Sequence, residues 1–328
     1  MKKRRVIIRD PNALTMRKFL KREGTIMKLG TFKTGDRQFS GAVLNDAVVI
    51  DIVRAALAHE EFRQYGPAFA DMRTLLPLAE QAAALLAVAA TRDEARYRLS
   101  DLEVMAPITN PNKIICVGLN YLDHALESNE AIPTEPVIFT KFRTSLTGTG
   151  SPIRLPRVSN QVDYEAELAV VVKKTGKRIP EAEAWEYVAG YTAMNDVSAR
   201  DLQMRGSQWT KGKVSDTFAP LGPYLVTADE VGDPHQLRIQ LELNGKIMQD
   251  SRTDQLIFKI PRLISFLSEL FTLEPGDIIS TGTPPGVGFV RKPPVFLKPG
   301  DQVSVIIEKI GRLTNSVVED SNVPERIN

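Results

Sequence analysis

Apolar and polar residues alternate along this chain in short blocks, and the most regular block is DYEAELAVVV, residues 163–172. A strand sends successive side chains to opposite faces. Tyr164, Ala166, Leu168, Val170 and Val172 then share one face, and Asp163, Glu165 and Glu167 crowd the other. Adjacent carboxylates repel, and burial in a sheet adds a desolvation cost. Either a cation offsets them, a role that Mg²⁺ and Mn²⁺ fill well with carboxylate oxygens, or the face is an edge left in water.

The same patterning predicts strands at 28–32, 39–44 and 47–52, with Gly35-Asp36 and Asn45-Asp46 as the turns between them. Helical spacing follows at 52–59, 72–76 and 78–97. Together these make a small N-terminal α/β domain over residues 27–106, after a basic extension at 1–26. Pro107, Asn110 and Pro111 form a linker into a β-rich domain at 107–328. Strands are expected there at 113–118, 137–141, 163–172 and 190–197. A meander over 223–226, 237–243 and 246–250 turns at Asn244-Gly245. Helices are expected at 121–128, 181–188 and 261–271, and further strands at 278–281 and 303–310. GTPPGVG, residues 282–288, is too rich in Gly and Pro for regular structure. The fold class is α+β and β-rich.

Charge narrows the partners. A net charge of +2, from 42 basic and 40 acidic residues, leaves no electrostatic footprint for nucleic acid or an anionic membrane. No apolar run is read as a membrane span. The single cysteine, Cys116, permits no intrachain disulfide and no cysteine metal cluster. It reads as a small buried hydrophobe in a strand, and it fits a reducing, cytoplasmic location. Lys2, Lys3, Arg4, Arg5, Arg9, Arg17, Lys18, Lys21 and Arg22 make the start basic. Serine and a small-residue cleavage site are missing there, so a disordered tail or a true start at Met27 is preferred over an organelle transit peptide.

Three further stretches carry candidate chemistry. In a helix at 121–128, His124 and Glu127 share a face. A carboxylate beside imidazole makes half of a general-base pair, or an ordinary surface pair. Residues 128–134, with Pro133, suit an active-site lid. The strand ending on Asp196 is followed by Arg200 and Gln203, and a polar loop carries Lys211 and Lys213. His235 follows Pro234 and is expected on the surface, and Trp185 and Tyr187 are expected in packing.

Six stretches in order resemble the fumarylacetoacetate hydrolase family, nearest to its bacterial and mitochondrial FAH-domain-containing members. They are KIICVGLNYLDHALE, DYEAELAVVV, VAGYTAMNDVSARDLQ, GKVSDTFAPLGP, LELNGKIMQDSRTDQLIF and LEPGDIISTGTPPGVG. The resemblance implies a mixed β-roll catalytic domain, usually dimeric through that domain. It implies a metal site at Glu165, Glu167 and Asp196 for Mg²⁺ or Mn²⁺, with Ca²⁺ as a further candidate. Asp123 matches a ligand used only by some members and is left out. His124, Glu127 and Lys213 match catalytic positions, although Val214 stands where Ser is common. Arg200, Gln203 and Thr283 match substrate-binding positions.

The reaction implied is hydrolytic cleavage of a carbon–carbon bond in an acylpyruvate-like diketo acid, as in aromatic catabolism, through an enolate stabilised at the metal. His124, held by Glu127, would take a proton from water, and Lys213 with Gln203 would stabilise developing charge. Oxaloacetate decarboxylation and keto-acid isomerisation, hydration or lysis share that enolate and stand as alternatives. A non-catalytic metabolite-binding scaffold is the second alternative. It gives no reason to keep clustered carboxylates at a desolvation cost.

Overall fold

The computed structural model describes residues 27–90, 95–123 and 132–320. The extension at 1–26 and the His124–Glu127 pair lie outside the described residues, as does most of the helix expected at 121–128 and of the lid expected at 128–134.

A twelve-stranded mixed sheet forms the frame. Its N-terminal side is the meander Lys28–Thr34, Arg37–Leu44 and Val48–Asp51, followed by Arg96–Arg98. Lys28 pairs with Val226 and Leu29 with Leu225, so the sheet continues across the boundary expected at residue 106. Next come Ala219–Thr227, Val188–Asn195, Ala166–Val172, Ile278–Ser280, Ile114–Gly118 and the edge strand Val137–Lys141. A second, five-stranded sheet takes Lys246–Arg252, Arg238–Leu243, Gln302–Ile307, Gly311–Glu319 and Ile153–Leu155.

Two apolar clusters hold these layers. Leu168, Val170 and Val172 meet Ile239, Leu241, Val303 and Val305 in one cluster, which helix Ile260–Leu270 joins through Leu263, Ile264 and Leu267. On the other face, Ala169 and Val171 share a cluster with Leu85, Leu86 and Ala89 of helix Ala79–Ala89. The strand Ala166–Val172 is therefore buried along its whole length. The solvated-edge reading of its carboxylates fails for that reason.

Several expectations are corrected. The acidic block is not one strand: Val162–Asp163 pairs with Ser198–Ala199 in a separate ladder, and the main strand begins at Ala166. Residues 219–227 join the main sheet rather than the meander of 238–252. The helix expected at 78–97 stops at Ala89, and Arg96–Arg98 is a strand. The segment expected as a helix at 181–188 is the 3₁₀ turn Glu181–Tyr187, with Trp185 44% exposed against the His235 ring. The last strand is Gly311–Glu319. Met72–Ala89 is long and apolar enough to cross a membrane, contrary to the reading of the sequence. The 3₁₀ turn Leu76–Leu78 interrupts it, and half of it is buried among the sheet residues, as in a core helix.

Candidate active site

Strand register brings the carboxylates together. Ala166 pairs with Asn195 and Glu167 with Met194, so Glu165 and Asp196 leave neighbouring strand ends side by side. The Asp196 N–H donates to the Glu165 carbonyl at 2.9 Å, and the Glu165 N–H donates to Asn195 Oδ1 at 3.0 Å. Ile278–Ser280 flanks the same strand on its other side. From there Ser280 Oγ–H and the Gly282 N–H, at 3.0 Å, donate to Glu167 Oε2. Gly282 has φ +105° and a Cβ there would lie 2.9 Å from Asn120 Cβ, so the close approach needs glycine.

One oxygen from each of Glu165, Glu167 and Asp196 lies within 4.8 Å of the others. Opposed oxygens of an octahedral Mg²⁺ are about 4.2 Å apart. The set is all oxygen, buried and close to that size, so it fits a hard divalent cation.

Buried cations already face these carboxylates. Lys213 Nζ lies 3.0 Å from both Glu165 Oε2 and Asp196 Oδ2. Arg200 Nη2 is 2.6 Å from Glu165 Oε1 and 2.9 Å from Asp163 Oδ2. Lys141 Nζ is 2.7 Å from Asp196 Oδ1. Four carboxylates, Asp163, Glu165, Glu167 and Asp196, thus meet three cations, Lys141, Arg200 and Lys213.

The electrostatics follow from that imbalance. Burial opposes the Glu165 charge, but Lys213 and Arg200 outweigh it and hold its carboxyl at about 2. Burial, with Asp196 and Glu165 as like charges, pushes Glu167 well above the ordinary carboxylate range. Burial also opposes the Lys213 charge, yet Asp196 and Glu165 raise its pKa above the usual lysine value. Lys213 is therefore an ammonium, suited to stabilising an oxyanion and not to accepting a proton.

A cavity of ≈ 190 Å³ opens on this cluster, lined by Glu165, Glu167, Arg200, Gln203, Lys213, Thr283, Phe139, Trp209 and Phe289 among others. The structure gathers all the expected site residues among those described, with Asp196 behind the cavity wall. Arg200 Nη1 donates to Gln203 Oε1 at 3.0 Å, and its guanidinium lies 4.4 Å from the Phe289 ring centre. Gln249 Nε2 donates to Thr283 Oγ1 at 2.9 Å.

Asp163 belongs to a different structure. Its Oδ1 accepts from the N–H groups of Tyr164 at 2.8 Å and Gly288 at 2.7 Å, and its Oδ2 from Phe289 N–H at 3.1 Å. It ties the Gly-Pro loop and Arg200 together instead of facing the metal set. Sequence reading missed Lys141, Gln249 and Asn195, whose roles rest on partners far away in the chain.

Comparison with known proteins agrees with this geometry. The model of the fumarylacetoacetate hydrolase C-terminal domain matches residues 113–318. The "oxaloacetate tautomerase fahd2, mitochondrial" of Xenopus laevis is 51% identical over 249 residues, 75% of this chain and 78% of that protein. Human "oxaloacetate tautomerase FAHD2A, mitochondrial" is 49% identical over 251 residues, 75% of this chain and 80% of that protein. Among solved structures, a putative HpcE protein from Mycobacterium smegmatis has a TM-score of 0.77 at 38% identity, covering 90% of this chain and 100% of its own. Maleylpyruvate hydrolase from Sphingobium sp. SYK-6, in complex with manganese(II) and pyruvate, has a TM-score of 0.72 at 31% identity, covering 89% and 99%. The cytoplasmic expectation is corrected by the Xenopus and human relatives, which are named mitochondrial. A lone cysteine is compatible with either compartment and does not separate them.

Proposed function

This chain belongs to the fumarylacetoacetate hydrolase family, and we propose that it interconverts the keto and enol forms of a small dicarboxylic 2-oxo acid of the oxaloacetate class. The observation that carries this is the Lys213 ammonium, 3.0 Å from two of the three clustered carboxylates and facing the same cavity as Arg200 and Gln203. The 51% identity to a protein named oxaloacetate tautomerase supports the choice of substrate.

Glu165, Glu167 and Asp196 hold the divalent cation in this reading, with Mg²⁺ and Mn²⁺ as the candidates. When bound, it would supply a Lewis acid for a 2-oxo oxygen and turn the one-charge deficit into a one-charge excess, which favours an anionic substrate. Arg200, oriented by Asp163, and the Gln203 amide bind the distal carboxylate. Lys213 lends its positive charge to the oxygen that becomes negative as a proton leaves C3. The proton taken from C3 is delivered to the enolate oxygen, so the C3–H bond breaks, an O–H bond forms and the double bond moves from C2–O to C2–C3; the reverse direction restores the ketone. His124 with Glu127, assigned from the family resemblance, moves the proton at C3. The small cavity favours a compact acid over a drug-sized ligand, whose pockets run to about 300–1,000 Å³.

Hydrolysis of an acylpyruvate is the second reading. It is favoured by the same enolate-stabilising set and by the likeness to maleylpyruvate hydrolase. The test follows loss of enol-oxaloacetate absorbance, with Mg²⁺ or Mn²⁺, beside cleavage of acetylpyruvate and release of CO₂ from oxaloacetate. Fast enol decay above the spontaneous rate supports tautomerisation. Acetylpyruvate cleavage without any effect on enol-oxaloacetate overturns it in favour of hydrolysis.

A further inference from the structure

Lys141 ends the edge strand Val137–Lys141, and its side chain is fully buried. Its Nζ donates to three backbone carbonyls, those of Lys213 at 2.7 Å, Phe218 at 2.8 Å and Val197 at 2.9 Å. Asp196 Oδ1 is the fourth oxygen, at 2.7 Å. An ammonium has three N–H bonds, and the carbonyls take all three. The Asp196 contact is then charge against charge without a directed hydrogen bond.

Burying an ammonium costs several kcal/mol before compensation, and an apolar residue fills the same space without that cost. The four oxygens come from Asp196 and the residue after it, from Lys213 and from the entry to strand Ala219–Thr227. None of them is near Lys141 in sequence. Lys141 does not line the cavity.

We propose that Lys141 is a positioning residue: its ammonium occupies a four-oxygen cage in place of a monovalent cation and sets the metal ligand Asp196 against the backbone of Lys213. The inference rests on the reading of Lys213 and the three carboxylates as the reacting site. It does not depend on which keto acid is the substrate.

Loss of this charge has a signature that general damage lacks. Lys141→Met makes the surroundings of Asp196 more negative, so Mn²⁺ affinity holds or tightens. Turnover falls by about 10²-fold, the scale of a 1 Å misplacement of a reacting group. In Lys141→Ala the vacated cage accepts ammonium or methylammonium. These ions then raise the melting temperature and restore turnover, and tetramethylammonium, which has no N–H, does neither.

The experiment measures Mn²⁺ binding to metal-free protein by calorimetry, thermal unfolding with each ammonium ion, and kcat on enol-oxaloacetate, for wild type and both variants. Retained Mn²⁺ affinity with reduced kcat, and rescue by ammonium, is the expected result. Wild-type kcat in Lys141→Met overturns the proposal, as does joint loss of Mn²⁺ affinity and kcat without rescue. If Lys141→Met does not fold, Lys141→Gln, which keeps two N–H donors, takes its place in every comparison. Failure of all three variants to fold even with ammonium assigns Lys141 to the core alone and also overturns it. Mn²⁺ binding and ammonium-dependent melting need no substrate. A wild type inactive on oxaloacetate therefore defeats the functional reading and leaves the Lys141 test readable.

Discussion

Arg200 grips Asp163 through two nitrogens on one oxygen: Nε and Nη2 both lie 2.9 Å from Oδ2. Both side chains are buried, and the same guanidinium also reaches Glu165. Asp163 therefore decides where Arg200, the proposed substrate-binding residue, sits, although it stands outside the carboxylate cluster proposed to hold the cation.

Asp163→Asn keeps the shape and loses the charge. Breaking a buried ion pair on one side costs about 3–5 kcal/mol. The variant is expected to lose about that much unfolding free energy in urea titrations. Its KM for oxaloacetate rises more than its kcat falls, because Arg200 loses its anchor and swings toward Glu165. Steady-state kinetics on a variant shown to be folded check this, and an unchanged KM would reject the anchoring role.

Metal dependence is expected to come with an opposite effect on stability. EDTA should abolish activity, and Mg²⁺ or Mn²⁺ should restore it. Glu167 resists ionisation, through burial and the charges of Asp196 and Glu165. Glu167→Gln is therefore expected to raise the melting temperature of the metal-free protein and to remove the further rise that Mn²⁺ gives the wild type. Scanning calorimetry with and without Mn²⁺ reads both. A variant that still gains from Mn²⁺ as the wild type does would take Glu167 out of the ligand set.

His124→Ala separates proton transfer from cation binding. If His124 moves the proton, kcat falls by about 10²–10⁴-fold, the usual worth of a general base, while Mn²⁺ affinity stays. Glu127→Gln gives a milder version, since it keeps a hydrogen bond and loses the charge that stabilises imidazolium. Wild-type turnover in His124→Ala would pass the base role to another group.

His235 supplies the pH dependence. Sequence reading placed it on the surface, but its Nε2 accepts the Ile260 N–H at 3.2 Å, at the start of helix Ile260–Leu270. Burial lowers its pKa from 6.5, Lys259 adds to the effect, and Asp233 opposes it. The unfolded chain therefore takes up a proton near 6.5 that the folded protein still refuses. Below that pH the unfolded state binds more protons, so stability falls as pH falls through 6.5 toward the depressed folded value. Above it both states are neutral and the slope vanishes. Urea titrations across this range, on wild type and His235→Gln, check it: the variant should be less stable at neutral pH and lack this part of the slope.

Local pattern determined a large share of this protein. Alternation located the strand carrying Glu167, with Glu165 just before its start, and charge crowding on an apolar block marked them for a cation. Asn244-Gly245 marked a hairpin, and the apolar spacing of 261–271 marked a helix. These features depend on near neighbours in the chain. Tertiary structure decided what depends on distant ones. Residues 219–227 alternate equally well for either sheet, and only pairing with Lys28–Thr34 and Val188–Asn195 assigns them. Gly311–Glu319, rich in polar residues, is a strand because Gln302–Ile307 and Ile153–Leu155 satisfy its backbone on both sides. Asp163 and Asp196 are both aspartates beside an apolar strand. One became an anchor and the other joined the cluster that could hold a cation, because Gly288 N–H faces the first and Glu165 and Glu167 face the second. Lys141 was invisible in sequence, because its partners are carbonyl oxygens that every residue carries, and only the fold chooses which of them converge.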